Sequence, residues 1–161
     1  MPPIRVAVVD ESVLVRGLLA EAINRQPDMV CVGSARDPLA ARELLREGAD
    51  VLTLDAGMTR IDALELLSRL MRLRTVPVVL VVPAGERGDE IECKARGMGV
   101  RGIVRRPASR GTDGTRLLVG EIVRTLREVS AGITAPAAAA PLRRWQPVAR
   151  PAARVPSVAA G

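Results

Sequence analysis

Two short apolar runs end in acids. The stretch "VAVVDES", residues 6–12, delivers Asp10 and Glu11, and "DVLTLDAGM", residues 50–58, delivers Asp55. A carboxylate that closes a buried-looking run sits at the end of a strand, where water, an ion or a partner can reach it. Three carboxylates brought together repel one another and are tolerated when a cation neutralises them. Oxygen-only ligands with room for water favour magnesium. A carboxylate beside such an ion can attack a phosphoryl group, because the metal offsets the charge on the incoming oxygens. From the pattern alone this aspartyl-phosphate reading stands level with a plainer one, in which Asp55 caps a loop and Asp10–Glu11 open a helix.

Composition removes several other chemistries. The 161-residue chain has no histidine, and its two cysteines, Cys31 and Cys93, form no CxxC pair. The common zinc sites, Ser-His and Cys-His catalysis and a histidine proton shuttle are therefore excluded. Cys31, within "MVCVG", reads as a small apolar core residue, and the setting expected is reduced and cytoplasmic. Apolar residues make up 48% of the chain, but Phe and Tyr are absent and Trp145 is the one aromatic, so the core must be aliphatic. The net charge of +6 is uneven. Arg143, Arg144, Arg150 and Arg154 lie in an acid-free stretch over 135–161, and the rest is nearly neutral. A nucleic-acid-binding surface is not expected from so local an excess. No signal peptide and no membrane-spanning run is legible, so no membrane partner is expected.

The elements that must position the acids follow from periodicity. Valine-rich runs at 4–9, 29–32, 51–54, 76–82 and 100–104 read as strands buried on both faces of a parallel sheet. Between them lie apolar stripes at helical spacing. One comprises Leu14, Leu18, Leu19, Ala22 and Ile23; the next comprises Leu39, Ala40, Leu44 and Leu45, opened by an Asp37 cap and Pro38 in the first turn. Leu64, Leu67, Leu70 and Met71 form the third, and Leu117, Leu118, Ile122, Leu126 and Val129 the last. Residues 86–98 give the weakest helical pattern. Five strands alternating with five helices predict a doubly wound α/β fold, flavodoxin-like, with strand order 2-1-3-4-5. That order makes strands 1 and 3 neighbours, so Asp10, Glu11 and Asp55 meet at the switch point. Residues 1–130 are expected to form this domain and residues 131–161, rich in Ala, Pro and Arg, a disordered tail or linker. The tail segment "LRRWQPVARPAAR" reads as solvated linker in preference to a stacking surface.

The chain resembles the response-regulator receiver (CheY-like) family, most closely the receiver half of the chemotaxis protein-glutamate methylesterases. The resemblance covers about residues 4–130 and is carried by "IRVAVVDESVLVRGLLAEAINRQPDMVCVGSARDPLAAREL", "DVLTLDAGMTRIDALELLSRLMRLRTVPVVLVV", "ERG" and "GIVRRP". "DVLTLD" and "LMRLRxxPVV" are fairly specific to that subgroup. The resemblance implies a phosphoacceptor at Asp55, metal-binding acids at Asp10 and Glu11, a metal-binding carbonyl at Gly57, Mg2+ as cofactor, and a histidine kinase of the chemotaxis type as phosphoryl donor. A methylesterase domain or another effector would act in trans, since without histidine a Ser-His-Asp triad cannot be assembled from this chain.

The chain also departs from the family pattern. Val82 stands where a Ser or Thr hydroxyl meets the phosphoryl group, and losing one donor to a charged group costs on the order of 1.5–3 kcal/mol. Arg106 replaces the lysine before proline, and its planar fork is no simple equivalent. Ile103 replaces the aromatic of strand 5. Met58-Thr59 and Asp62-Ala63 replace "MP" and "DG". Because strand neighbours alternate faces, Arg106 is expected to face the pocket as the cationic partner and Arg105 to point out. The expectation is a stand-alone, partly degenerate receiver in two-component signalling, not an enzyme beyond hydrolysis of its own acyl phosphate. The alternative is a pseudo-receiver that binds a kinase or partner without phosphotransfer. A magnesium-dependent phosphatase would need an aspartate two positions after the nucleophile, where Gly57 stands.

Overall fold

The structure, a computed structural model, describes residues 2–133. Of the expected disordered tail, residues 134–161, with Arg143, Arg144 and Trp145, lie outside the described residues. Five strands alternate with five helices: β1 (Ile4–Val9), α1 (Val13–Asn24), β2 (Met29–Ala35), α2 (Pro38–Arg46), β3 (Val51–Asp55), α3 (Ala63–Leu73), β4 (Val78–Val82), α4 (Glu86–Gly97), β5 (Gly102–Arg105) and α5 (Thr112–Ser130). All strand pairs are parallel, in the order β2-β1-β3-β4-β5. β3 and β4, the central and next strand, are buried at every residue, which is why they carry continuous apolar runs and no alternation.

The sheet divides the core in two. On one side Leu19, Ile23, Val79, Ile122 and Leu126 join α1 and α5 to the sheet. On the other, Leu45, Leu54, Leu67, Leu70 and Leu80 join α2, α3 and α4. Both halves are aliphatic, as the composition requires. Cys31 is fully buried in the first of them, and burial pushes its thiol up to about 11, so it packs as an inert apolar group.

Local signals explain most boundaries. Asp37 caps α2 by accepting from the Ala40 amide at 2.9 Å, and Pro38 occupies its first turn. Asp62 caps α3 through the amides of Leu64 and Glu65. β4 starts at Val78, two residues later than the apolar run, because Pro77 has no N–H and contributes only its carbonyl, which accepts from Leu52. β2 runs on through Gly33 and Ser34. Gly33 is required there, since a Cβ would lie 2.2 Å from Leu44 Cδ2. α4 forms despite its weak apolar face. Its Gly88 seats the helix directly on β4's exit, where a Cβ would stand 1.8 Å from the Pro83 carbonyl oxygen.

Three residues assigned to apolar stripes lie in solvent instead: Leu14, Leu39 and Leu117 are 65%, 68% and 60% exposed. The buried contacts fall to Val15, Ala41 and Leu118. The sheet covers a narrower arc of each helix than the apolar residues span.

Candidate functional site

The strand order delivers the acids to one rim. Asp10 follows β1 and its amide still donates to Ala35 of β2. Asp55 closes β3, and Ala56 continues the ladder by donating to Val81 at 2.7 Å. Both carboxylates are buried, 3% and 4% exposed. Arg106 follows β5, and its amide donates to the Val82 carbonyl at 2.9 Å, which fixes where its side chain begins.

That side chain joins the two acids. Arg106 Nη2 lies 3.1 Å from Asp55 Oδ2 and 3.6 Å from Asp10 Oδ2. One nitrogen within ion-pair reach of both places the two carboxylates side by side. Asp55 Oδ1 accepts from the Gly57 amide at 2.9 Å, and a Cβ at Gly57 would press on that same oxygen at 3.2 Å. Asp10 Oδ1 accepts from the Ser12 amide at 2.8 Å, while the Ser12 hydroxyl caps α1 through Val15. Arg16, one turn into α1, donates to the Asp10 carbonyl at 2.6 Å.

These donors do not fully compensate the charge. Burial first, and then the neighbouring Asp55 charge, raise the Asp10 carboxyl from 3.8 to about 6, against the Ser12 amide, Arg106 and Arg16. The pocket therefore has an unmet demand for positive charge.

Glu11 is placed differently. It is exposed, and its carboxylate accepts from the Thr59 amide and hydroxyl at 3.3–3.4 Å. Among the described residues no group of three or more His, Cys, Asp and Glu side chains is arranged to hold a metal ion. The donors nonetheless suit a small hard cation. Asp10 and Asp55 offer adjacent, buried carboxylate oxygens that share only one arginine.

The other half of the rim has few hydrogen-bonding side chains. Val82 is fully buried and offers no hydroxyl. Ile103 is half-buried and packs on the α2–α3–α4 side of the core. Arg105 points out, as alternation requires, and pairs with Asp89 at 2.5 Å and Glu92 at 2.6 Å on α4. The contacts through Arg16 and Thr59 were not legible in the sequence. Arg16 sits six positions after Asp10, which one helical turn after a cap makes reachable, but helical arginines face solvent far more often than a carbonyl. Thr59 carried no signal beyond replacing a proline.

The model of the response-regulator receiver domain matches residues 6–112. The chain belongs to the response-regulator receiver family. It is 50% identical over 156 residues to the protein-glutamate methylesterase/protein-glutamine glutaminase 1 of Albidiferax ferrireducens, covering 96% of this chain and 39% of that protein. It is 44% identical over 154 residues to the corresponding protein of Bordetella pertussis, covering 92% and 44%. The chain thus spans less than half the length of these relatives. The response-regulator domain of Thermotoga maritima CheB superposes with a TM-score of 0.71 at 30% identity, over 82% of this chain and 99% of that one. A chain of the complex of the P1 domain of CheA3 with CheY6 from R. sphaeroides aligns with a TM-score of 0.63 at 28% identity, over 82% of this chain and 100% of that one. This receiver is of the chemotaxis type of two-component signalling. Among the described residues no helix is long and apolar enough to cross a membrane.

Proposed function

We propose that this receiver accepts a phosphoryl group on Asp55 from a histidine kinase of the chemotaxis type. The observation that carries the reading is the pair of buried carboxylates, Asp10 and Asp55, held side by side on one arginine at the carboxyl ends of β1 and β3. An Asp55 carboxylate oxygen attacks the phosphorus of a phosphohistidine. The P–N bond breaks, the imidazole leaves with its electron pair, and an acyl phosphate forms. Gly57 orients the nucleophile by holding Oδ1. Arg106 moves its charge from the two carboxylates to the phosphoryl oxygens. Mg2+ would be held by Asp10, Asp55 and the Gly57 carbonyl, with Glu11 turning in from Thr59. When bound it offsets the negative charge of the entering group.

The donor domain needs a place to dock. Val13 and Leu14, directly after the acids, are 63% and 65% exposed at the start of α1. They suit the apolar helical face of a phosphodonor domain of the kind named for the CheA3 complex. Output would pass to a methylesterase domain or another effector.

Incubation with acetyl phosphate and Mg2+ tests the proposal. The expected result is a mass increase of one phosphoryl group, absent in Asp55→Asn. No increase, while a control receiver is labelled in parallel, overturns it.

A second reading has its own support. Arg106 already pairs with both acids, and Val82 cannot donate to a phosphoryl oxygen, so a pseudo-receiver that binds a partner without phosphotransfer fits the β4–β5 side of the rim. The same labelling decides between the two.

A further inference from the structure

We propose that the cleft between the loop after Asp55 and α4 is a docking site for an acidic protein segment that carries an aliphatic anchor. The cleft has a volume of about 460 Å³ and lies between residues 56–64 and α4. Its floor is aliphatic: Met58 is buried, and Ile61 and Ile91 are half-buried within it. Its rim carries Arg60, Arg87 and Lys94, all exposed. None of these three side chains makes an ion pair or hydrogen bond with another described residue.

The placement of charge on α4 makes that notable. Arg87, Ile91 and Lys94 follow the i, i+4, i+7 rule, so they share the stripe facing the cleft. Asp89, Glu92 and Arg96 lie on the opposite side, and there every charge is used. Arg105 bridges Asp89 and Glu92, and Arg96 pairs with Glu92 at 2.8 Å. On α3, Glu65 is likewise taken by Arg69. At the cleft the one free acid is Glu90, against three cations. Asp62, which also lines it, spends its carboxylate on the α3 amides. A net positive rim over an aliphatic floor complements carboxylates flanking a leucine- or isoleucine-like side chain. The described residues offer no aromatic side chain on which a nucleic-acid base could stack.

The site differs from the acid pocket and does not depend on phosphoryl transfer. It does share the loop Ala56–Asp62, whose Thr59 holds Glu11. A partner seated there rests on the segment that leaves the phosphoacceptor.

The test uses the full chain, isotopically labelled, and a short peptide of glutamate with leucine at helical spacing. Saturable amide shifts centred on Arg60, Ile61, Ile91 and Lys94 are expected. They should fade at about 1 M salt, where the screening length falls to about 3 Å. Joint substitution Arg60→Glu, Arg87→Glu and Lys94→Glu, on exposed positions, should weaken binding about tenfold or more while the melting curve and Asp55 labelling stay unchanged. Shifts that fail to saturate, or that persist in the triple variant, overturn the proposal. So does tighter binding of a single-stranded oligonucleotide than of the peptide at the same residues, which would make the surface a nucleic-acid site.

Discussion

On the β1–β3 side of the rim, backbone geometry holds the charges. Asp10 is fixed by the Ser12 amide and Asp55 by the Gly57 amide, each on a residue two positions along. On the β4–β5 side, the corresponding positions are an apolar Val82, an aliphatic Ile103, and an arginine whose long side chain crosses to the acids. On the proposed function, the first side builds a nucleophile in a field short of positive charge. The second supplies a cation but no hydroxyl that could sense what the nucleophile carries. In a two-state switch, a ligand shifts the balance only through contacts that differ between the states. On the proposed function, taking a phosphoryl group and responding to it are therefore separable in this fold, because the residues for each sit on different strands.

The comparison breaks first at Asp55. Asp55→Asn should abolish labelling by acetyl phosphate altogether, whatever happens on β4–β5. Residual labelling of that variant, read by mass spectrometry, would move the nucleophile elsewhere.

Val82→Thr sharpens the contrast from the other side. A threonine copies the valine shape and restores one donor. The phosphorylated fraction at fixed acetyl phosphate should rise by about tenfold or more, since a hydrogen bond to a charged group contributes on the order of 1.5–3 kcal/mol. The unphosphorylated protein should lose stability, because the hydroxyl is buried there without a partner. An unchanged phosphorylated fraction would show that the site does not reach residue 82.

Asp10 gives a test by pH. Its carboxyl is raised from 3.8 to about 6 in the folded protein. A raised carboxylate binds its proton more tightly when folded, so stability from this group is greatest below about pH 4 and is lost as pH rises through 6. Asp10→Asn should be more stable than the parent by on the order of 2 kcal/mol at pH 7 and equal to it near pH 4. Urea titrations at the two values measure the difference; a variant less stable at pH 7 would mean that Arg106 more than compensates both acids.

The smallest effect is expected outside the rim. Arg105→Ala removes the ties to Asp89 and Glu92, which are solvated, and should lower the melting temperature only slightly, with labelling unchanged. A change in labelling would show that α4 transmits to the pocket.

Much of this could be read from residues alone. Valine runs gave the strands, their order gave the meeting of Asp10 with Asp55, and alternation separated Arg105 from Arg106. Three features resisted. Glu11 is adjacent to Asp10 in sequence, yet it turns to Thr59, because an exposed carboxylate takes the nearest donors and those belong to a loop 48 positions away. Leu14, Leu39 and Leu117 share their stripes' periodicity but not their burial, since a period fixes direction and says nothing about how far the sheet extends over the helix. The exit of β2 through Gly33 and Ser34 has no apolar signature and depends on Leu44 filling the space above the glycine.

Arg106 also bears on how the protein meets its surroundings. A rim whose acids were balanced only by a dissolved ion would loosen whenever that ion became scarce. Here part of the counter-charge is covalently built into the chain, so chelation should lower the melting temperature only by what the ion adds to Arg106, and the fold should still unfold cooperatively without it. The fold can persist as a scaffold through swings in divalent supply.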